Sequence, residues 1–213
     1  MGLQVFKRYA RWYDLVYAKR DYKSEANFVY HWAGKPELII DLGAGTGRHH
    51  KYWKSRVIGI DQSKDMLSQV KCGEKNLYIQ GNIEELPKTL QGKDCYTALF
   101  NVIGYCNLDK VMNRLNQKKG GILIFDVWDT KKVQEEWFDF KIKQFDWGEV
   151  HISYEENKIK ITVIPKKGRT IIEYHKVRSY SLKEIETLCK KYGYSLTRKD
   201  TNTWTTYYRL IKN

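Results

Sequence analysis

Five short apolar runs, each followed by polar or glycine-rich residues, mark the N-terminal part of the chain. They cover residues 38–40, 57–60, 77–80, 96–100 and 122–125. Continuous apolar runs of this length are typical of parallel strands that are buried on both faces of a sheet. Because stretches with helical character separate the runs, the pattern predicts an α/β fold with a doubly wound sheet.

A different pattern follows the fifth run. Three segments predict short strands, over residues 144–154, 159–164 and 170–177. They indicate an antiparallel β insertion that covers the carboxyl edge of the main sheet, where ligands bind in open α/β folds. A helix over 182–191 and two strands over 195–199 and 204–211 complete the pattern.

The N-terminal segment carries an aromatic stripe. Tyr9, Trp12, Tyr13 and Tyr17 recur at the i, i+3, i+4 spacing of one helix face. Two interpretations fit this spacing. The helix either packs its aromatic face on the core, or forms a lid whose tyrosine hydroxyls point into a site.

The most specific signal follows the first run and reads Asp41-Leu42-Gly43-Ala44-Gly45-Thr46-Gly47. Each glycine lacks a Cβ and permits a positive φ, so backbone N–H groups can approach a ligand. Gly43 and Gly45 fit the nicotinamide fingerprint, but its third glycine would fall on Arg48. An acid before the first glycine and a glycine at Gly47 instead resemble motif I of class I S-adenosylmethionine (SAM)-dependent methyltransferases. The alternative is a tight turn that binds no ligand.

This resemblance implies a Rossmann-like, seven-stranded methyltransferase sheet, SAM as the cofactor and no metal. Asp61 ends the second run and is expected to bind both ribose hydroxyls. Asp41 would lie near the cationic aminopropyl end of the cofactor, and Met66 would pack on the adenine. Asn82 stands where the family usually has an acid, and its amide oxygen can still accept from the adenine amino group. The cofactor-binding residues implied in full are Tyr22, Asp41, Gly43, Ala44, Gly45, Thr46, Gly47, Asp61, Gln62, Met66, Gly81, Asn82, Ile83 and Asn101.

The N-terminal segment adds a narrower resemblance. Its pattern Tyr-Asp-x-x-Tyr over residues 13–17, then Asp-Tyr-x-x-Glu-Ala over 21–26, is similar to the opening of deoxysugar N,N-dimethyltransferases of the desosamine and mycaminose type. In that family a tyrosine of this segment lies next to the acceptor amine, which implies Tyr13 here. The spacing before Tyr22 is shorter than in the family, so Lys19 and Arg20 remain alternatives for the basic position.

Two further residues are catalytic candidates. His175 lies in a His-x-x-x-x-aromatic pattern at the end of the insertion, as in similar enzymes. Asp126 ends the fifth run, where it could relay a proton or cap a helix. Tyr13, His175 or Asp126 would take or relay the proton of an amine that attacks the SAM methyl group.

Composition indicates one globular enzyme of 213 residues, of which 42% are hydrophobic. No apolar stretch is long enough to span a membrane, and residues 1–7 lack the apolar region of a signal peptide, so a cytoplasmic protein is expected. The four cysteines show no paired or metal-binding spacing. The single expected domain divides into a lid segment, a SAM-binding core, the insertion, and a final helix with a strand pair, over residues 1–30, 36–128, 140–178 and 179–213.

The net charge of +13 leaves the partner open. It suits a phosphorylated or nucleotide-linked acceptor, a nucleic acid, or solubility alone, because the lysines are spread without a basic block. The favoured function is N-methylation of a small molecule such as a nucleotide-linked amino sugar. One alternative is methylation of RNA or protein, although the run over residues 101–104 lacks the prolines of motifs that methylate base amines. The other is a non-catalytic SAM-binding subunit. The oligomeric state stays open.

Overall fold

The computed structural model describes residues 6–71, 73–129, 132–133, 135, 141–155, 158–201 and 204–213. The start of the expected lid segment (residues 1–5) and Cys72 lie outside these ranges. Within them, no helix combines the length and the apolar character needed to cross a membrane.

Eleven strands form two sheets. The strands are β1 (Leu38–Leu42), β2 (Arg56–Asp61), β3 (Leu77–Gln80), β4 (Cys95–Ala98), β5 (Ile122–Trp128), β6 (Lys141–Phe145), β7 (Gly148–Glu155), β8 (Lys158–Pro165), β9 (Ile171–Lys176), β10 (Tyr194–Asp200) and β11 (Thr205–Lys212). The main sheet has the order β10-β11-β5-β4-β1-β2-β3. Strands β1 to β5 run parallel, and β11 pairs antiparallel with both β5 and β10. The predicted seven-stranded α/β sheet with a terminal antiparallel pair is confirmed.

The insertion is a second, four-stranded antiparallel sheet of order β6-β7-β8-β9. The prediction of a single strand over residues 144–154 is wrong, because the chain turns at Asp146 and Trp147 and pairs Phe145 with Gly148. The aromatic residues on either side of Asp146 resemble a strand, but aspartate and glycine two residues apart favour a tight turn. One face of this sheet is apolar and buried.

Five helices are described: α1 (Ala10–Val16), α2 (Tyr22–Trp32), α3 (Lys64–Leu67), α4 (Leu108–Leu115) and α5 (Leu182–Tyr192). Ser63 caps α3, with its hydroxyl oxygen accepting the Met66 N–H. A capping box of Ser181 and Glu184 begins α5, and Gly193 ends it with a φ of +67°.

The crossovers are less helical than expected. Between β1 and β2 the structure has only the 3-10 turn His50–Tyr52, and between β3 and β4 only the turns Ile83–Glu85 and Lys88–Leu90. The glycine turn uses up most of the first crossover, and Pro87 interrupts the second because proline lacks an N–H.

The N-terminal segment fills the space between the two sheets. Tyr9, Tyr13 and Val16 share a buried cluster with Trp128 of β5 and with the inward face of the insertion. The aromatic stripe is therefore packed, and it is packed at the carboxyl edge of the sheet, while its role as a lid stays a prediction.

Candidate active site

The glycine turn after β1 exposes its backbone. Gly43, Gly45 and Gly47 have φ values of +71°, +56° and +69°, which favour glycine over any L-residue. The N–H groups of Gly43 and Ala44 both donate to the Ile60 carbonyl, at 2.7 and 2.9 Å, which anchors the turn to β2. A Cβ at Gly45 would lie 3.3 Å from Met66 Cε. A side chain in place of Gly45 would therefore occupy the space between the turn and α3.

Asp61 joins the end of β2 to the same turn. One carboxylate oxygen accepts the Gly45 N–H at 2.8 Å, and the other accepts the Ser63 N–H at 2.8 Å. Burial raises the pKa of Asp61, while these two hydrogen bonds oppose the rise. Each oxygen keeps a further lone-pair direction. Asp61 can thus brace the turn and still accept two ligand hydroxyls.

Asp41 has a supporting role that the sequence did not reveal. Its carboxylate accepts the Thr97 hydroxyl at 2.6 Å and lies 2.7 Å from His50 Nε2, and the residue is only 4% exposed. His50 in turn contacts the Tyr78 hydroxyl at 2.7 Å. The side chain expected near the aminopropyl end of the cofactor thus ties β1, β4 and the following 3-10 turn together beneath the glycine turn.

Three buried polar atoms beside the turn have no hydrogen-bond partner among the described residues. They are the Tyr22 hydroxyl, Arg48 Nε and Asn101 Nδ2. The Arg48 guanidinium lies 5.0 Å from the centre of the Tyr22 ring, so two of these atoms belong to touching side chains. Unpaired buried polar atoms are costly and rare. Their presence around a bare backbone fits a ligand with a charged polar end, such as the amino-acid moiety of SAM.

The first helix is fastened to the turn through Asp14. Its carboxylate accepts the Thr46 hydroxyl at 2.6 Å and an Arg48 N–H at 3.4 Å. Sequence analysis did not select Asp14 or Arg48, although Asp14 is part of the Tyr-Asp-x-x-Tyr pattern. The contacts place the N-terminal segment directly over the glycine turn.

The structure distinguishes Lys19 from Arg20. Lys19 is exposed, whereas the Arg20 guanidinium lies 4.3 Å from the Phe100 ring centre and 5.8 Å from that of Tyr22. Arg20 donates to both carboxylate oxygens of Glu25, at 3.0 and 2.6 Å. Arg20 is therefore the inward-facing basic residue of this segment.

Glu25 is the centre of a buried polar network. Besides Arg20, it contacts His49 Nε2 at 2.8 Å and accepts the Tyr207 hydroxyl. Burial opposes ionisation of Glu25, but the hydrogen bond and charge of His49, together with Arg20, outweigh it and lower the pKa to about 2. The network links α2, the glycine-turn segment and β11.

The expected adenine-binding residues lie together beyond the end of β2. Met66 and Ile83 are buried, while Gln62 is exposed and Gly81 is partly exposed. The Asn82 side-chain oxygen accepts the Glu84 N–H at 3.0 Å and caps a 3-10 turn. The structure brings this group together on the α3 side of the turn, while its contacts to adenine stay a prediction.

A small aromatic cavity of about 20 Å³, with room for about one water molecule, lies at the carboxyl ends of β4 and β5. Phe100 and Trp128 line it from the main sheet, and Ile152, Ile159 and Ile161 from the insertion. The remaining walls are Phe6, Tyr17, Tyr105 and His175. Among these lining residues, Tyr17, Tyr105, His175 and Trp128 carry the polar side-chain atoms.

His175 is fully buried and both of its ring nitrogens have partners. Nδ1 lies 3.2 Å from the Tyr105 hydroxyl, and Nε2 lies 3.2 Å from a Glu173 carboxylate oxygen. The Phe6 ring meets the imidazole edge-on with a centroid distance of 4.5 Å. Sequence analysis selected His175 but neither Tyr105 nor Glu173, because Tyr105 meets it from an element distant in sequence and no motif marked Glu173.

Tyr13 and Asp126 lie outside this lining. Tyr13 packs behind Tyr17, with ring centres 4.8 Å apart, and burial raises the pKa of its hydroxyl well above the usual value. Asp126 accepts the Asn101 N–H at 3.0 Å with both oxygens and holds the loop after β4, where Asn101 has a φ of +56°. Burial and the nearby charge of Glu25 raise the pKa of Asp126 to about 7. The structure therefore brings Tyr13 and His175 around one aromatic cluster and gives Asp126 a loop-supporting contact.

Comparison with known proteins agrees with this geometry. Residues 40–125 match a family model described as a methyltransferase domain. This part of the chain is therefore similar to methyltransferase domains. The match covers the strands from β1 to β5 and includes the glycine turn, Asp61 and Asn101.

Similarity to other proteins extends over most of the chain. An uncharacterised protein of Methanocaldococcus jannaschii is 25% identical over 200 residues, covering 92% of this chain and 77% of that protein. A SAM-dependent methyltransferase structure from Clostridium acetobutylicum has a TM-score of 0.78 at 19% identity, covering 97% of this chain and 98% of that one. A SAM-bound amino pentose methyltransferase from Micromonospora echinaspora has a TM-score of 0.72 at 14% identity, covering 94% and 96%. At these identities the two structures establish the shared fold.

Proposed function

We propose that this protein is a methyltransferase that transfers a methyl group from SAM to the amino group of a small molecule. The observation that carries the proposal is a pair of adjoining spaces lined by aromatic rings at the carboxyl ends of β4 and β5, of about 20 and 170 Å³, beneath the insertion. A site closed on this scale suits a small acceptor better than a folded polymer.

The lining of the cavity suits a cationic reaction centre. SAM, when bound, supplies a methyl group on a sulfonium. An amine would attack the methyl carbon in line with the C–S bond, and the thioether sulfur would leave. The rings of Tyr17, Phe100 and Trp128 border this space, and aromatic faces stabilise sulfonium and ammonium charge. Tyr105 and His175 offer hydrogen bonds that would orient the amine, and exclusion of water by the surrounding apolar residues strengthens them.

The shape beyond the cavity supports an acceptor with an anionic part. A second space of about 170 Å³ shares Tyr17, Phe100, Trp128 and Ile152 with the first, and adds Arg20, Lys141 and Lys143. An amino sugar linked to a phosphate or nucleotide would place its amine in the aromatic cavity and its charge near these cations. The pattern of residues 13–26 and the amino pentose methyltransferase with the same fold also support an amino-sugar acceptor.

The test is a turnover screen. Purified protein and SAM are incubated with free amino sugars, nucleotide-linked amino sugars and RNA, and both S-adenosylhomocysteine and the methylated product are measured. We expect methylation of an amino-sugar nitrogen, located by mass spectrometry. Calorimetry that finds no SAM binding would refute the methyltransferase activity, whereas binding without turnover would favour the non-catalytic subunit.

One observation favours RNA as a second acceptor class. Lys7, Arg8, Arg11 and Arg169 line an open cleft between the N-terminal segment and the turn before β9, with Asp65 as its acid. A cleft with this charge attracts polyanions. Methylation of RNA in the same screen, weakening steeply with added salt, would replace the amino-sugar proposal.

A further inference from the structure

Glu173 on β9 is shared by the N-terminal segment and His175. Its carboxylate accepts the backbone N–H groups of Phe6, Arg8 and Tyr9, at 3.0, 2.7 and 2.9 Å. The oxygen that accepts from Phe6 also lies 3.2 Å from His175 Nε2. The Glu173 carboxylate therefore accepts three backbone N–H groups of the N-terminal segment and also contacts Nε2 of His175, the candidate catalytic histidine.

These contacts determine which nitrogen of His175 carries the proton. Burial opposes ionisation of Glu173, but hydrogen bonds from His175, Tyr9 and Arg8 keep its pKa below the usual value, so the group is a carboxylate that can only accept. His175 Nε2 must then carry hydrogen and donate to it. In neutral His175 this leaves Nδ1 with a lone pair, which accepts the Tyr105 hydroxyl at 3.2 Å. Burial raises the pKa of Tyr105, so its hydroxyl stays protonated and can donate.

We propose that Tyr105, His175 and Glu173 form a proton relay from the acceptor amine, in which Glu173 is a positioning residue set in place by the docked N-terminal segment. The inference rests on the proposed amine methylation. Tyr105 and His175 line the aromatic cavity, whereas Glu173 acts through His175.

In this relay, methyl transfer to the amine is coupled to movement of two protons. The amine nitrogen forms a bond to the methyl carbon while the C–S bond breaks, and the electron pair of that bond stays on sulfur. The new ammonium gives a proton to the Tyr105 oxygen as the Tyr105 hydroxyl proton moves to His175 Nδ1. The resulting imidazolium faces the Glu173 carboxylate, and the proton returns to solvent when the N-terminal segment opens.

The insertion contains a second Glu–His pair that is not connected to the N-terminal segment or to Tyr105. Glu149 and His151 on β7 have the same spacing and the same 3.2 Å separation as Glu173 and His175. They lie on the face of β7 opposite the buried Val150 and Ile152, away from the cavity. Glu149→Gln is therefore the control for a change confined to a Glu–His pair.

The direct test reads the tautomer of His175 by nitrogen NMR of histidine-labelled protein with bound S-adenosylhomocysteine, using His175→Asn to assign the signal. We expect wild type and Glu149→Gln to carry the proton on Nε2. In Glu173→Gln the amide NH₂ can donate to Nε2, so the proton should move to Nδ1. An Nδ1-protonated wild type, or an unchanged signal in Glu173→Gln, would overturn the relay.

Hydrogen exchange tests the docking of the segment. In Glu173→Gln the new amide oxygen can still accept the Arg8 and Tyr9 N–H groups, so exchange at these two residues should change little, whereas the Phe6 N–H loses its acceptor. In Glu173→Ala the acceptor is lost, and exchange over the same residues should rise about tenfold or more. Unchanged exchange in Glu173→Ala would refute the docking role. Because S-adenosylhomocysteine binding is measured in the same samples, failure of cofactor binding is distinguished from failure of the relay.

Discussion

Arg20 and Glu25 form a two-point ion pair in the protein interior, with nitrogen–oxygen distances of 2.6 and 3.0 Å. The Glu25 side chain is 7% exposed and also serves His49 and Tyr207. The pair joins α2 to the residues around Phe100 and β11. Its loss should therefore reduce the stability of the fold more than it changes the chemical step.

We expect Glu25→Ala to lower the free energy of unfolding by about 3–5 kcal/mol, because it leaves a buried guanidinium without its partner. Chemical denaturation measures this. The control is Asp109→Ala, which removes the acid of an exposed pair with Lys191 at 2.7 Å and should cost far less. Equal losses in the two variants would show that the Glu25 network contributes no more than a surface pair.

Gly45→Val should abolish SAM binding in a folded protein. Valine is strained at a φ of +56°, and its Cβ would meet Met66 Cε at 3.3 Å, in the space beside the turn. The control is Gly34→Val, since Gly34 has a φ of +76° and open space around it. Both variants carry similar backbone strain, so only a difference in calorimetric SAM affinity between them locates the cofactor at the glycine turn.

Asp61→Ala should weaken SAM binding by about 1.5–3 kcal/mol, because a charged acceptor for the ribose hydroxyls is lost. Because Asp61 also accepts the Gly45 and Ser63 N–H groups, Asp61→Asn is a useful second variant that retains one acceptor oxygen. Asp65→Ala on the exposed side of α3 is the control. Calorimetry that finds wild-type SAM affinity in Asp61→Ala would remove this residue from the site.

Tyr13→Phe should reduce turnover on the acceptor by about ten- to a hundredfold with little change in SAM affinity, the effect of one lost positioning contact. Tyr17→Phe is the informative comparison, because Tyr17 lines the cavity and Tyr13 packs behind it. Tyr174→Phe, on the exposed outer face of β9, serves as the control. If only Tyr17→Phe reduced turnover, Tyr17 rather than Tyr13 would be the tyrosine that lies next to the acceptor amine.

Asp126 makes stability depend on pH in an unusual direction. Because the pKa is raised to about 7 in the folded protein, the folded state binds more protons than the unfolded chain between about pH 4 and pH 7. Stability contributed by this group is thus lost as pH rises, by up to roughly 4 kcal/mol at about 1.4 kcal/mol per pH unit. Relative to wild type, Asp126→Asn should gain stability across this range. Urea unfolding measures this. If the free energy of unfolding changed with pH in the same way in wild type and in Asp126→Asn, Asp126 would not be a buried group that binds a proton in the folded protein.

The strands and the glycine turn were predictable because their signals are local. Apolar runs bounded by Asp41 and Asp61 specify both the strand and its functional end. The hairpin at Asp146 was missed since Phe145 and Trp147 conceal a turn within an apolar stretch. The helical period placed Tyr13 and Tyr17 on one face of α1, but which of them reaches the cavity depends on how the helix is rotated against the insertion.

The polar contacts of the candidate site were not predictable for a different reason. The Tyr207 hydroxyl meets Glu25 across 182 residues of sequence, and the Phe6 N–H meets Glu173 across 167. No spacing or periodicity carries such pairs. His175 was selected through a family pattern, whereas the role of Glu173 is identified only once the two distant parts of the chain are placed side by side.

The distance in sequence between Glu173 and the segment it holds also determines the order of events during synthesis. The aromatic face of α1 leaves the ribosome first, yet the carboxylate that fastens it follows 165 residues after Arg8. Closing so long a loop carries an entropic cost that only the assembled sheet can offset. Tyr9 and Tyr13 therefore lack their packing partners on the insertion until β9 has been made, so the aromatic cavity can close only after most of the chain has left the ribosome.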